Sequence, residues 1–320
     1  MKSALFSTIG LLLSVILPTY AASLKGQYIS QSYLANNTFY FDYSKMQDLM
    51  KINGGKNWAL KLVDIPDHKV WLWDYAHNGA VVDTDLVARD DKDASFITQY
   101  DKFVESLYGK KALRTWASKT SLFAIWFGSN DIIYMNRSQG TSSTDVIDNI
   151  LSTKFQKVQE LYEHGARHFL FIYVPAIERS PLNKDNSLYF ANADTTYYNN
   201  KVKTFASNFA STHPDTNVLV YDAYMEYNYI MDHKDEFGIE NIADSCEDTG
   251  SKCDDKDSTF FWHDKIRPSV RVQEAVAQDI HEFLTSRQVN VRDEQFSGAT
   301  SVKSFLFWNA ILVLFSFLLF

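Results

Sequence analysis

A chain of 320 residues, 46% of them hydrophobic, is long enough to bury a sizeable core, and one large domain is expected rather than two. The formal net charge is -8 and Lys and Arg form no basic stripe, which argues against nucleic acid as a partner. Aromatic residues make up 15%, a share suited to a Phe- and Tyr-rich core, with a sugar-binding surface as the other use.

From the N-terminus, Lys2 precedes an apolar stretch at 4–17, then Pro18 and Thr19-Tyr20-Ala21. A charged start, a short apolar run and small residues at its end make a secretory signal peptide, assigned to residues 1–21. The main domain is expected over 22–288. Five β-rich runs mark it, at 27–30, 70–74, 121–126, 168–174 and 217–222, and the first carries Gln and Ser. Ile97, Phe103, Val104 and Leu107 predict a helix over 97–107. Ile147, Ile150, Leu151, Phe155, Val158 and Leu161 predict another over 146–162, and a last one covers 270–284. Strands alternating with helices predict an α/β fold whose parallel sheet is covered on both faces.

Cys246 and Cys253 lie close together in a polar loop, and in a secreted chain they are expected to form one disulfide, two free thiols being the alternative. Glycosylation sequons stand at Asn36-Asn37-Thr38 and Asn136-Arg137-Ser138. Residues 289–297 form a polar stalk. Small residues (Ser297-Gly298-Ala299), a polar spacer and an apolar run at 305–320 fit a GPI-attachment signal over 298–320. A membrane tail helix is the alternative, short of the usual length of about 20 residues. Either one attaches the protein to a membrane through its C-terminus and places it at the cell surface or wall.

In a parallel α/β sheet, functional residues gather beyond the carboxyl ends of the strands. The segments to inspect are therefore Ser30-Gln31-Ser32-Tyr33, Tyr75-Ala76-His77-Asn78-Gly79-Ala80 and Gly128-Ser129-Asn130-Asp131. A fourth, Phe261-Trp262-His263-Asp264-Lys265-Ile266-Arg267-Pro268, precedes the last helix. Their order and spacing resemble the SGNH (GDSL-type) hydrolase family, in particular its secreted fungal acetyl-esterases, over nearly the whole mature chain. The Gly128-x-Asn130-Asp131 block is the strongest single match, with Trp73-Asp74-Tyr75-Ala76 through Gly79-Ala80 as another.

The resemblance implies a three-layer α/β/α sandwich with a five-stranded parallel sheet of flavodoxin type. It implies ester hydrolysis without a cofactor or metal. Ser32 takes the nucleophile position. The backbone N–H groups of Ser32 and Gly79 and the Asn130 amide form the oxyanion hole, aimed at the charge that develops on the tetrahedral intermediate. Asp264 takes the position of the orienting acid. Two departures matter. The family's Gly-Asp-Ser reads Ser30-Gln31-Ser32, and its catalytic histidine is Arg267.

A guanidinium has no acceptor and stays protonated below a pKa of about 12, so Arg267 cannot take the serine proton. Loss of a triad member costs on the order of 10⁴ to 10⁶ in turnover. Arg267 either pairs with Asp264 or binds an anionic ligand group. His263 and His77 are the possible substitute bases. The expectation is a surface protein that binds a glycan or small ester with hydrolysis weak or lost. The alternative is an active esterase with an unorthodox base.

Overall fold

The computed structural model describes residues 26–28, 57–63, 65, 70–107, 118, 121–137, 142–250, 253, 258–285 and 310–318. The expected signal at 1–21, Ser32 and its neighbours, the Asn36 sequon and the stalk at 289–297 lie outside them.

Strand β1 (Gly26–Tyr28) and helix α1 (Trp58–Val63) come first, followed by β2 (Val70–Asp74), β3 (His77–Asn78) and α2 (Phe96–Leu107). Next are β4 (Ser121–Trp126), α3 (Ser129–Tyr134), α4 (Ser143–Glu163), β5 (His168–Ile172), α5 (Ala191–Thr212) and β6 (Asn217–Tyr221). Then come α6 (Ala223–Asp232), β7 (Asn241–Ser245), α7 (Cys246–Thr249), β8 (Phe260–Trp262), α8 (Val270–Thr285) and β9 (Ala310–Leu318).

The fold is α/β. Every residue of β5 and β6 is buried, as strands covered on both faces must be. Helix α4 buries Ile147, Ile150, Leu151, Phe155, Val158 and Leu161 along one stripe and packs on α5. Helix α1 packs on α8, where Gln273 Oε1 accepts from the Trp58 N–H at 3.0 Å. Much of the aromatic content goes to the core. Phe103, Phe123, Phe169 and Phe209 make successive edge or tilted contacts with ring centroids 5.5, 5.9 and 5.2 Å apart.

The expected sheet of five strands, one from each run, is not what forms. Among the described residues the sheet has seven strands, ordered β1-β6-β5-β4-β9-β2, with β3 also pairing β9. Four runs supply β2, β4, β5 and β6. The first contributes only β1, which lies antiparallel at the edge, with Gly26 opposite Tyr221 and Tyr28 opposite Leu219. The interior place between β2 and β4 belongs to β9, parallel to both, with Val313 opposite Trp73 on one side and Phe123 on the other.

Composition explains the exchange. An interior strand of a parallel sheet reads as a near-continuous apolar run, which Ala310-Ile311-Leu312-Val313-Leu314-Phe315 supplies and the Gln- and Ser-bearing first run does not. Nine residues of the segment 298–320 form this strand. Among the described residues no helix is long and apolar enough to cross a membrane.

A chain ending at residue 309 would leave the facing edges of β2 and β4 unpaired. We expect it to aggregate or to lose its cooperative thermal transition, followed by circular dichroism. An unchanged melting temperature would remove β9 from the sheet.

Candidate active site

The site is built on the turn after β4. Gly128 has φ 131°, and a Cβ there would lie 2.4 Å from Val174 Cγ2 and 2.6 Å from the Tyr198 ring. Backbone angle and space both demand glycine. The turn leads straight into α3, whose first residues reach back across the sheet. The Asn130 amide donates to the Ala80 carbonyl at 3.0 Å, and Asp131 Oδ1 accepts from the Val82 N–H at 2.9 Å. These two bonds clasp the loop after β3 to the turn after β4. The loop is pinned again on its far side, where the Val81 N–H donates to Ala94 and its carbonyl accepts from the Phe96 N–H, at 3.0 and 2.8 Å. Gly79 sits in it with φ 69°.

The structure thus brings Gly79 and Asn130 together. An Asn amide carries two N–H donors, and Ala80 takes one, so the other is the donor an oxyanion would use.

Beneath the clasp lie two buried titratable groups, and neither Asp131 Oδ2 nor Lys154 Nζ has a hydrogen-bond partner among the described residues. Asp131 and Lys154, from α4, are both fully buried. Loss of hydration pushes the Asp131 carboxyl up to about 6, against the opposing pull of its backbone donors and of Lys154. The same loss pulls the Lys154 ammonium down to about 7, with Asp131 opposing it. The ammonium also stands 5.5 Å over the Tyr198 ring. The hydroxyls of Ser129, Thr195 and Tyr198 are buried here too, with no hydrogen-bond partner among the described residues.

The last block closes on itself. Asp264 Oδ1 accepts from the N–H groups of Ile266 and Arg267 at 2.9 and 2.6 Å, and Oδ2 accepts from Arg267 Nε. Both side chains are mostly buried, 18% exposed for Asp264 and 13% for Arg267. Of the two roles expected for Arg267, the structure shows the ion pair.

The two candidate bases differ. His77 Nδ1 lies 3.0 Å from the Asn78 carbonyl and Nε2 3.3 Å from the Asp91 carboxylate, so an acceptor faces each nitrogen. His263 is buried, with Nε2 3.3 Å from Glu247 Oε1, while Nδ1 has no hydrogen-bond partner among the described residues. Glu247 lies on α7, which begins at Cys246, and Cys246 is joined to Cys253 by a disulfide with a Cα–Cα distance of 5.6 Å.

Lys154 and Tyr198 were missed by reading motifs alone. A signal for Lys154 was present, because it falls at helical spacing between Leu151 and Val158 on the apolar face of α4.

The chain matches the GDSL-like lipase/acylhydrolase family over residues 37–280 and belongs to that family. The match begins beyond Ser32, so the nucleophile assignment rests on the sequence resemblance alone. An acetylesterase of Thermothelomyces thermophilus is 25% identical over 234 residues, covering 71% of this chain and 74% of that protein. An anther-specific proline-rich protein of Brassica napus is 24% identical over 202 residues, 56% of this chain and 44% of its own length. A GDSL esterase/lipase of Arabidopsis thaliana is 22% identical over 201 residues, 53% of this chain and 54% of its own length. The chain thus spans about half of each plant relative.

Two outcomes follow from the buried pair. Lys154→Met strands a buried carboxylate and is expected to cost about 3–5 kcal/mol in urea unfolding. The pH dependence has a definite sign. Between pH 3.8 and about 6 the folded state holds a proton on Asp131 that the unfolded chain releases, so stability falls as pH rises. Between about 7 and 10.5 the unfolded chain keeps the Lys154 proton that the folded state has lost, so stability rises with pH. The two groups therefore weaken the fold most between about pH 6 and 7, and an Asp131→Asn, Lys154→Met double variant should lose the fall in stability below that window and the rise above it.

Proposed function

We propose that this is a GDSL-family protein that keeps the ligand-facing half of an acyl-ester site and has little or no ester hydrolysis. It would act at the cell surface by binding a glycan or small ester. One observation carries the reading: the Asp264 carboxylate is engaged by the Arg267 guanidinium and two backbone N–H groups, where an imidazole would be needed. Without that base a serine hydroxyl stays a poor nucleophile. The edge position and antiparallel direction of β1 add support, since the family resemblance implies a first strand parallel to the others. The ester-binding part of the reading draws on the relative named acetylesterase. The separate packing of α4 on α5 and of α1 on α8 supports a three-layer α/β/α arrangement of flavodoxin type.

The surface location rests on the charged and apolar N-terminal segment and the two sequons. Membrane attachment at 298–320 competes with β9, because residues removed with an anchor signal or held in a bilayer cannot also fill the sheet. Mass spectrometry of the mature C-terminus separates the two uses.

A second reading, an active esterase, draws on His263. A ring nitrogen at a carboxylate, with the other nitrogen unpartnered among the described residues, is the arrangement of an oriented base. Hydrolysis of an aryl acetate by the full chain decides between the readings. We expect turnover at the uncatalysed baseline, unchanged by Ser32→Ala or His263→Gln. Turnover in the parent that either substitution abolishes would establish the esterase instead.

A further inference from the structure

Five of the six arginines among the described residues have hydrogen-bonding partners. Arg137 holds Asp194, Arg167 holds Asp215, Arg179 holds Asp232, Arg267 holds Asp264, and Arg271 donates to the Ser258 and Phe237 carbonyls. Arg89 alone makes no hydrogen bond or ion pair among those residues. It is not short of acids nearby, because Asp83, Asp85, Asp90, Asp91 and Asp93 surround it in sequence. Two of them face other side chains: Asp91 lies 3.3 Å from His77 and Asp93 lies 3.8 Å from Lys102.

The Arg89 guanidinium lies instead over the Tyr134 ring, 3.9 Å from its centroid. Tyr134 is one helical turn beyond Asn130 on α3, and it is 49% exposed. The same guanidinium abuts the glycine of the candidate oxyanion site, with Nη2 3.1 Å from where a Gly79 Cβ would stand. A stacked ring fixes the plane of the cation and leaves its edge N–H groups to another acceptor.

We propose that Arg89, held by Tyr134, reads a carboxylate on the ligand that enters beside Gly79 and Asn130, so that the preferred ligand is an acidic, uronate-type carbohydrate. This deepens the binding function proposed above and rests on it. The guanidinium fork matches a planar carboxylate with two parallel N–H···O bonds. A monoanion fits better than a dianionic phosphate, because one cation must bind it within a loop of five aspartates.

The test is calorimetric titration of the full chain with a galacturonic acid trimer, a neutral glucose trimer and a sulfated trimer. The acidic trimer is expected to bind at least tenfold more tightly than the neutral one. Arg89→Gln should erase that ratio by lowering acidic binding to the neutral level, and Tyr134→Ala should reduce it. Arg89→Lys keeps the charge without the fork and should retain only part of the ratio. Equal binding of acidic and neutral trimers, or a ratio that survives Arg89→Gln, overturns the inference and leaves glycan binding standing. Tighter binding of the sulfated trimer overturns the carboxylate assignment. Binding of none of the three overturns both the inference and the binding reading.

Discussion

Asp131 is the group on which the carboxyl end of the sheet depends. One of its oxygens holds the Val82 N–H, which fixes the loop carrying Gly79. Its charge is offset by Lys154 from α4, which is as completely buried. Its helix follows directly on Gly128, where only the absence of a side chain lets Val174 and Tyr198 approach. Loop, turn and the α4–α5 layer therefore meet at one carboxylate. Such pairs give little net stability, because desolvation offsets much of the attraction, but they punish misplacement heavily. A loop held this way presents its backbone in one position, which a preorganised set of donors requires.

The opposite half of the site is organised on another principle. The turn from His263 to Pro268 satisfies its own polar groups: His263 donates its backbone N–H to the Arg267 carbonyl at 2.7 Å, and Asp264 accepts from three donors within three residues. In a hydrolase the carboxylate of such a turn is left to orient an imidazole. Here the carboxylate accepts from the Arg267 guanidinium and from two backbone N–H groups, and so anchors the turn.

The sequence made the scaffold legible where periodicity was clean. The run at 70–74 matches β2, that at 121–126 matches β4, and the helices at 97–107 and 146–162 fall within a few residues of α2 and α4. It concealed α5, because Asn192, Thr195, Asn199 and Asn200 dilute a stripe that Tyr198, Val202, Ala206 and Phe209 nonetheless form. Tertiary burial overrides weak propensity there. The interior strand was also hidden, since an apolar segment at the chain's end satisfies the description of a membrane signal and of a parallel strand equally well. Only pairing on both sides distinguishes them. Motif reading found Gly79, Asn130, Asp264 and Arg267 because their types carry chemistry. It passed over Arg89 because a cation among aspartates reads as a solvated loop, and only coordinates reveal that none of those aspartates holds it.

The departures from a hydrolase are not scattered. One lies at 267 and the other in the first run, far apart in the chain, yet both concern the generation of a nucleophile. On the proposed reading the base position holds Arg267, which pairs with Asp264, and β1 lies at the sheet edge while β9 fills the interior place. The groups proposed to receive negative charge stand together: Asn130 is clasped to the loop of Gly79, with Arg89 beside it. These two halves answer to different demands. Delivering a nucleophile requires a base and a serine within hydrogen-bond reach of each other, so losing either makes the other useless for turnover. Receiving an oxyanion or a carboxylate requires only donors held in place, and that half retains its function without the first. A site reduced in this way is self-consistent as a binder of anionic and acyl groups, and that physical division supports recognition over hydrolysis.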